Sequence, residues 1–177
     1  MSNLSTGDPA PPFELIDVAG SSQTLDGSAP ATAVVFTCNH CPFALAWHER
    51  LVAVANDYAD RGVRILAINS DHPANHPQET VQASKARWET GKWPFAYAHD
   101  PSQEVARSFG AATTPEVFVL DGELQLRYQG AIDSDYADPD QNAAWLRDAL
   151  DAVLAGEDVE LDRTEPLGCS IKWADAA

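Results

Sequence analysis

The chain has 177 residues, 45% of them apolar, which suits a single domain with a core that needs no disulfide staples. Its 27 acidic residues against 11 basic ones give a net charge of −16, which excludes the basic face that nucleic acid requires and fits either a solubilising surface or a high-salt habitat. No apolar run approaches the roughly 20 residues needed to cross a bilayer, and no basic-then-apolar leader is recognisable, so no membrane partner is expected and the cytoplasm is the expected location.

Residues 1–12 end in a proline-rich stretch, Thr6 to Pro12, that reads as an extended surface segment. A short strand over Phe13–Ile16 and a turn near Ala19-Gly20 follow. The nearly continuous apolar run Ala33–Thr37 predicts a strand buried on both faces. Trp47, Leu51, Val54 and Tyr58 fall at helical spacing and predict a helix from about Phe43 to Asp60, ending before Gly62. Arg64–Asn69 reads as a second central strand, which makes a right-handed βαβ unit with parallel strands. A polar loop with His72, Pro73 and His76 leads to a helix opened by Pro77 and running to about Thr90. Beyond a short strand at Phe95–Tyr97, Asp100-Pro101 starts a helix that stops at Gly110. Asp121-Gly122 between Glu116–Leu120 and Leu124–Tyr128 is a hairpin signal. The last helix, about Gln141 to Ala155, stops at Gly156 and leaves a tail over 157–177. A parallel βαβ half followed by an antiparallel hairpin and a terminal helix predicts one α/β domain over 1–177. Its architecture is a thioredoxin-like sandwich with a central mixed sheet, an N-terminal extension and a C-terminal tail.

Two of the three cysteines, Cys38 and Cys41, stand in C-x-x-C spacing where the buried strand meets the first long helix. A thiol at a helix start faces unpaired backbone N–H groups and the positive end of the helix dipole, which favour the thiolate. The thiolate is the species that attacks disulfides and peroxides, so the placement points to redox chemistry. Three cysteines are too few and too uneven for a secreted disulfide framework. Pro42 suits the first helical position, since its φ is fixed and it has no N–H to leave unpaired.

Three segments in order, Ala10-Pro11-Pro12-Phe13-Glu14-Leu15, Cys38-Asn39-His40-Cys41-Pro42 and Thr114-Pro115 before a strand, carry a resemblance. The chain resembles the thioredoxin-fold group of alkyl hydroperoxide reductase and thiol-specific antioxidant proteins. Within it, the similarity is to peroxiredoxin-like members that end in a Gly-Cys-x-Ile-Lys-Trp segment, here Gly168 to Trp173. The resemblance implies an enzyme that reduces a protein or small-molecule disulfide, or a hydroperoxide, and draws on an external dithiol reductant without a cofactor. It sets Cys41 at the helix start, where thioredoxins place their first active-site cysteine, and Ala44 at the second; Cys38 then lies in the preceding loop. Cys41 is therefore the expected nucleophile, and Pro115 matches the cis-proline, with Thr114, His40 and Pro42 expected around the substrate. Peroxiredoxins carry a threonine where Cys38 stands and an arginine in the region of Thr114-Pro115-Glu116. Both departures favour thiol–disulfide exchange over peroxide reduction.

Either Cys38, by its spacing, or Cys169, on an apolar tail that can fold back, is open as the resolving thiol. His40 either lowers the thiol pKa or is a solvated loop residue. His48 falls about 10 Å along the helix from Cys41 and reads as structural. A soft-metal or non-catalytic binding module is the rival, with Cys38, His40, Cys41 and Cys169 as ligands. No second C-x-x-C or His-x-x-x-His completes a four-ligand set locally, so no metal site is expected.

Overall fold

The structure is a computed structural model that describes residues 4–174. Strands β1 (Glu14–Ile16) and β2 (Ser22–Thr24) form an antiparallel hairpin ahead of the main sheet. The sheet contains β3 (Ala31–Phe36), β4 (Arg64–Asn69), β5 (Ala96–His99), β7 (Glu116–Asp121) and β8 (Leu126–Gly130), in the order β5-β4-β3-β7-β8. β3, β4 and β5 run parallel, whereas β7 and β8 are antiparallel to their neighbours, so the sheet is mixed. The helices are α1 (Pro42–Tyr58), α2 (Val81–Gly91), α3 (Glu104–Phe109) and α4 (Ala144–Ala155). A further pair, β6 (Thr113–Thr114) and β9 (Cys169–Ser170), is antiparallel and holds the tail.

The period of two along the central strands sorts their side chains between two cores. Ala31, Ala33 and Val35 of β3 pack with Trp47, Leu51 and Val54 of α1 and Leu146, Leu150 and Val153 of α4. Val34 and Phe36 face the other way, onto Phe109 of α3, Leu15 of the hairpin and Ile171 of the tail. Every residue of β3 is buried, which is why the run reads as continuously apolar rather than alternating. Each large aliphatic side chain buried this way contributes on the order of 1.5–3 kcal/mol.

The elements differ from the sequence expectation at their edges, for identifiable reasons. The helix expected to open at Pro77 begins instead at Val81. Pro77–Glu79 forms a separate 3-10 turn, and the Thr80 hydroxyl caps α2 by accepting from Ala83 N at 3.3 Å. The break turns Glu79 inward, where it is buried. Asp100 likewise does not start α3 directly: its carboxylate accepts from Ser70 Oγ and Ala106 N, and the helix begins four residues later at Glu104. The short polar strands β2, β6 and β9 have no apolar alternation to announce them. The last helix starts at Ala144 rather than Gln141, because the Asp133 carboxylate pulls in the Ala143 amide at 3.0 Å. Asp133 also accepts from Trp47 Nε1 and Arg50 Nη1, tying α1 to the segment before α4.

Candidate active site

β3 ends at Phe36, and the chain passes through Thr37–His40 before entering α1 at Pro42. Cys41 is the N-cap, with φ −68° and ψ 124°, and Pro42 occupies the first helical turn. Leu45 N donates to the Cys41 carbonyl at 3.0 Å, the first bond of the helix ladder. The sulfur thus sits over the unpaired amides of the first turn, where a negative charge is favoured.

All three cysteines meet there. Cys38, Cys41 and Ala44 form one small buried cluster, with Phe43 and Cys169 packed against it. Cys169 arrives because β9 pairs with the strand leading to the cis Thr114–Pro115 peptide, Thr114 opposite Cys169 and Thr113 opposite Ser170. The tail is anchored on both sides of this crossing. Upstream, Thr164 N donates to the Gln129 carbonyl and the Thr164 hydroxyl contacts Tyr128 and Ala131. Downstream, Ile171 is buried, its amide donates to the Ala112 carbonyl, and Gln103 Nε2 donates to the Lys172 carbonyl. Gly168 passes so close that a Cβ there would lie 2.3 Å from the Thr114 carbonyl oxygen. Cys38 and Cys41 are consequently fully buried, while Cys169 is partly exposed. All three are free thiols.

The surroundings divide the thiols by charge. The Cys41 thiol is held down to about 4, chiefly by a hydrogen bond from the Cys38 thiol and further by Cys169 and the Ala44 amide, against the opposing effect of burial. The Thr114 carbonyl, 3.1 Å from Cys41 Sγ, accepts from the neutral thiol, so it too works against ionisation. Cys38 is pushed strongly up, first by its bond to Cys41, then by burial, with the Asp71 and Glu79 carboxylates adding to the rise. Its sulfur lies 3.2 Å from Thr114 Oγ1. Burial raises Cys169 to about 11, with Cys41 adding to the rise and Lys172 opposing it. The arrangement is one thiolate flanked by two thiols.

The remaining expected residues fall as follows. Thr114 is buried between the thiols and the tail, and the tail occupies its strand edge. Pro42 is exposed, at the mouth of the helix start. Pro115 lies between Thr114 and β7. His40 turns away from Cys41, its Nδ1 2.7 Å from Glu79 Oε1 and its ring stacked on His76. His48 packs against Trp93, and burial lowers its pKa.

Several residues that shape the site carry no motif. Glu79 accepts from Asn39 N with both oxygens at 3.0 Å and from Asn69 Nδ2 at 2.7 Å, fixing the loop that bears Cys38. Arg87 Nη1 donates to the Cys38 carbonyl, and Tyr97 Oη donates to Asn39 Oδ1. Glu116 follows Pro115 in the region where the resembled group carries an arginine. Its carboxylate accepts from Ala112 N, Thr113 N and Gln129 Nε2 and so pins the cis-proline loop. The one available signal was an acidic residue in a strand otherwise made of apolar residues.

A comparison with curated proteins finds no match. Among solved structures, a hypothetical protein from Sinorhizobium meliloti 1021 is 37% identical over 99% of this chain and 98% of its own, with a TM-score of 0.92. An uncharacterized conserved protein from Geobacillus kaustophilus is also 37% identical, over 98% of this chain and 95% of its own, with a TM-score of 0.91. The peroxidoxin BcpB from Mycobacterium tuberculosis shares the fold at 17% identity and a TM-score of 0.62, over 86% of this chain and 96% of its own. The model of the AhpC/TSA family matches residues 6–129, a span that contains Cys38, Cys41 and Pro115. With that match and the mixed five-stranded sheet beneath it, the chain belongs to the AhpC/TSA family and is a thioredoxin-fold, peroxiredoxin-like protein.

Proposed function

We propose that the protein is a thiol–disulfide oxidoreductase in which Cys41 is the nucleophile and Cys169 the resolving thiol. The observation that carries this reading is the meeting of three free thiols at a helix start, with only the middle one held as a thiolate. The Cys41 thiolate attacks one sulfur of a substrate disulfide, forming a mixed disulfide and expelling the other sulfur as a thiolate. Cys169, deprotonated, then attacks Cys41 Sγ and releases the second substrate thiol, leaving a Cys41–Cys169 disulfide. Two electrons have passed to the substrate, and an external dithiol returns them to the protein.

Charge favours Cys169 over Cys38 for the second step. Once Cys41 is in a disulfide its negative charge is gone, and what remains around each thiol decides. Cys38 still faces both Asp71 and Glu79, which oppose its ionisation, whereas at Cys169 Lys172 outweighs the opposing Asp71 and the thiol is partly exposed. The family match favours a second reading, in which Cys41 reduces a hydroperoxide and becomes a sulfenic acid that Cys169 condenses to the same disulfide. Cys38, standing where peroxiredoxins carry threonine, and the segment Thr114-Pro115-Glu116, without the arginine they carry in that region, argue for exchange as the main reaction.

The test is the reductase activity of Cys41→Ser together with mass spectrometry of the oxidised wild type. Loss of activity and a Cys41–Cys169 peptide are expected. A Cys38–Cys41 peptide alone would reassign the resolving thiol, and an active Cys41→Ser protein would refute the reading.

A further inference from the structure

The loop after β4 brings Asp71 and Glu79 into the wall behind Cys38, with side-chain exposures of 1% and 0%. Glu79 is matched by donors on both oxygens. Asp71 is not. Its Oδ1 accepts from Lys172 N at 2.9 Å, but among the described residues its buried Oδ2 accepts no hydrogen bond. That oxygen points into the cluster and lies 3.8 Å from His40 Nδ1. A desolvated carboxylate oxygen without a donor is costly, and a bound cation is one partner that would satisfy it.

One ligand atom from each of Cys38, His40, Asp71 and Glu79 lies within 4.8 Å of the other three. A tetrahedral zinc ion, with bonds of about 2.0–2.3 Å, holds its ligands about 3.3–3.8 Å apart, so the four need only a small contraction and rotation to meet one ion. We propose that Cys38, His40, Asp71 and Glu79 form a binding site for a divalent cation of the zinc type. The mixture of one sulfur, one imidazole nitrogen and two carboxylate oxygens selects the class. Magnesium and calcium take all-oxygen sets, and copper(I) takes sulfur-rich ones.

On binding, Cys38 coordinates as the thiolate and its proton leaves to solvent. His40 coordinates through Nδ1 as the tautomer protonated at Nε2, giving up its contact with Glu79. The surrounding contacts are of the kind that orient metal ligands: Asn39 N and Asn69 Nδ2 on Glu79, Lys172 N on Asp71, and the His76 ring stacked 4.3 Å from His40. Two of the ligands, Asp71 and Glu79, lie 30 residues or more beyond the C-x-x-C, which is why no local spacing announces the set. The site does not depend on the exchange reaction proposed above. Where both hold, an occupied site removes the Cys38 proton that otherwise supports the Cys41 thiolate, keeps Cys38 out of any disulfide and leaves Cys169 to pair with Cys41.

The experiment is a titration of the reduced, full-length protein with Co²⁺, read by the thiolate-to-cobalt charge-transfer band and the d–d intensity of tetrahedral coordination, followed by displacement with Zn²⁺. One Co²⁺ per chain is expected, displaced by Zn²⁺. The charge-transfer band should vanish in Cys38→Ser and persist in Cys41→Ser. His40→Ala and Asp71→Asn should each weaken binding by at least about tenfold. If Asp71→Asn does not fold, His40→Ala decides, because His40 is partly exposed. Absence of the band in the wild type overturns the proposal. So does a band lost in Cys41→Ser but unaffected by His40→Ala, which would mean a chelate built from cysteines alone.

Discussion

Replacing Cys38 with alanine tests the electrostatic design of the site most directly, because the Cys38 thiol is the largest single influence that holds the Cys41 thiolate. A hydrogen bond to a charged group is worth about 1.5–3 kcal/mol, and one pKa unit corresponds to about 1.4 kcal/mol, so Cys38→Ala should raise the Cys41 pKa by about 1–2 units. From a starting value of about 4, Cys41 would remain ionised at neutral pH. Its intrinsic nucleophilicity rises with its pKa, with a Brønsted coefficient of about 0.4–0.5, so its attack on a small disulfide at neutral pH should speed up by about 3- to 10-fold. The variant should therefore attack faster while holding its thiolate less firmly. A pH titration of thiolate absorbance gives the first quantity, and single-turnover formation of the mixed disulfide gives the second. An unchanged Cys41 midpoint in Cys38→Ala would refute the reasoning and leave the helix terminus and Cys169 as the stabilising groups. A collapse of turnover with accumulated mixed disulfide would show that Cys38, not Cys169, resolves.

Gly168→Ala places a Cβ against the Thr114 carbonyl, so the tail crossing should loosen, at a cost of about 1–3 kcal/mol, and alkylation of Cys41 should accelerate about tenfold or more; an unchanged rate would mean that the tail does not gate the thiol. Asp133→Ala leaves Trp47 Nε1 and Ala143 N without their acceptor and strips Arg50 of its carboxylate partner, though not of the Asp135, Tyr136 and Asp138 carbonyls, and should destabilise the fold by about 3–5 kcal/mol in urea unfolding, whereas a loss below about 1 kcal/mol would discount the clamp. The reduced protein should also owe pH-dependent stability to Cys41: with its pKa lowered from 9.0 to about 4, the contribution is fully present above 9 and is lost as pH falls through about 4. The stability difference between wild type and Cys41→Ser, in which the carboxylate contributions largely cancel, should shrink as pH falls across that window; a flat difference would contradict the shift.

What the sequence discloses and what it hides follow a physical division. The central strands and α1 were legible because burial on both faces, or on one helical stripe, leaves a periodic apolar record, as in Ala31–Phe36 and in Trp47, Leu51 and Val54. The helix start at Cys41 was legible because Pro42 belongs at a first helical turn. β2, β6 and β9 were not, since strands of two or three polar residues are defined by their partners rather than by their own pattern. The same holds for Glu79, Asp71 and Glu116. Each is a single acidic residue among 27, and only the tertiary fold shows that these three are buried and committed. His40 was singled out for adjacency to Cys41, yet its hydrogen-bonding nitrogen faces Glu79, because adjacent residues at a helix entry need not point the same way.

The burial of Cys41 bears on how exchange can occur at all. A thiolate under a tail cannot meet a disulfide until the tail yields, and the tail is fastened at Thr164 and again at Ile171, with the β6–β9 pairing, the Gly168 contact and the packing of Cys169 on the thiol cluster between. For the proposed exchange, a strap held at both ends would need to open only by a local bulge over residues 165–170, without releasing Ile171 from its core. Cys169 rides on that strap, so in the proposed exchange the motion that uncovers Cys41 would also move Cys169 aside, and its return would bring Cys169 back onto Cys41 Sγ. An extended substrate segment entering along Thr113–Thr114 would take the strand edge that β9 vacates and set its own sulfur where Cys169 had been. On that reading the tail would act as an internal stand-in for the substrate, and competition between the two for one strand edge would order the steps: substrate in, mixed disulfide, strap back, substrate out.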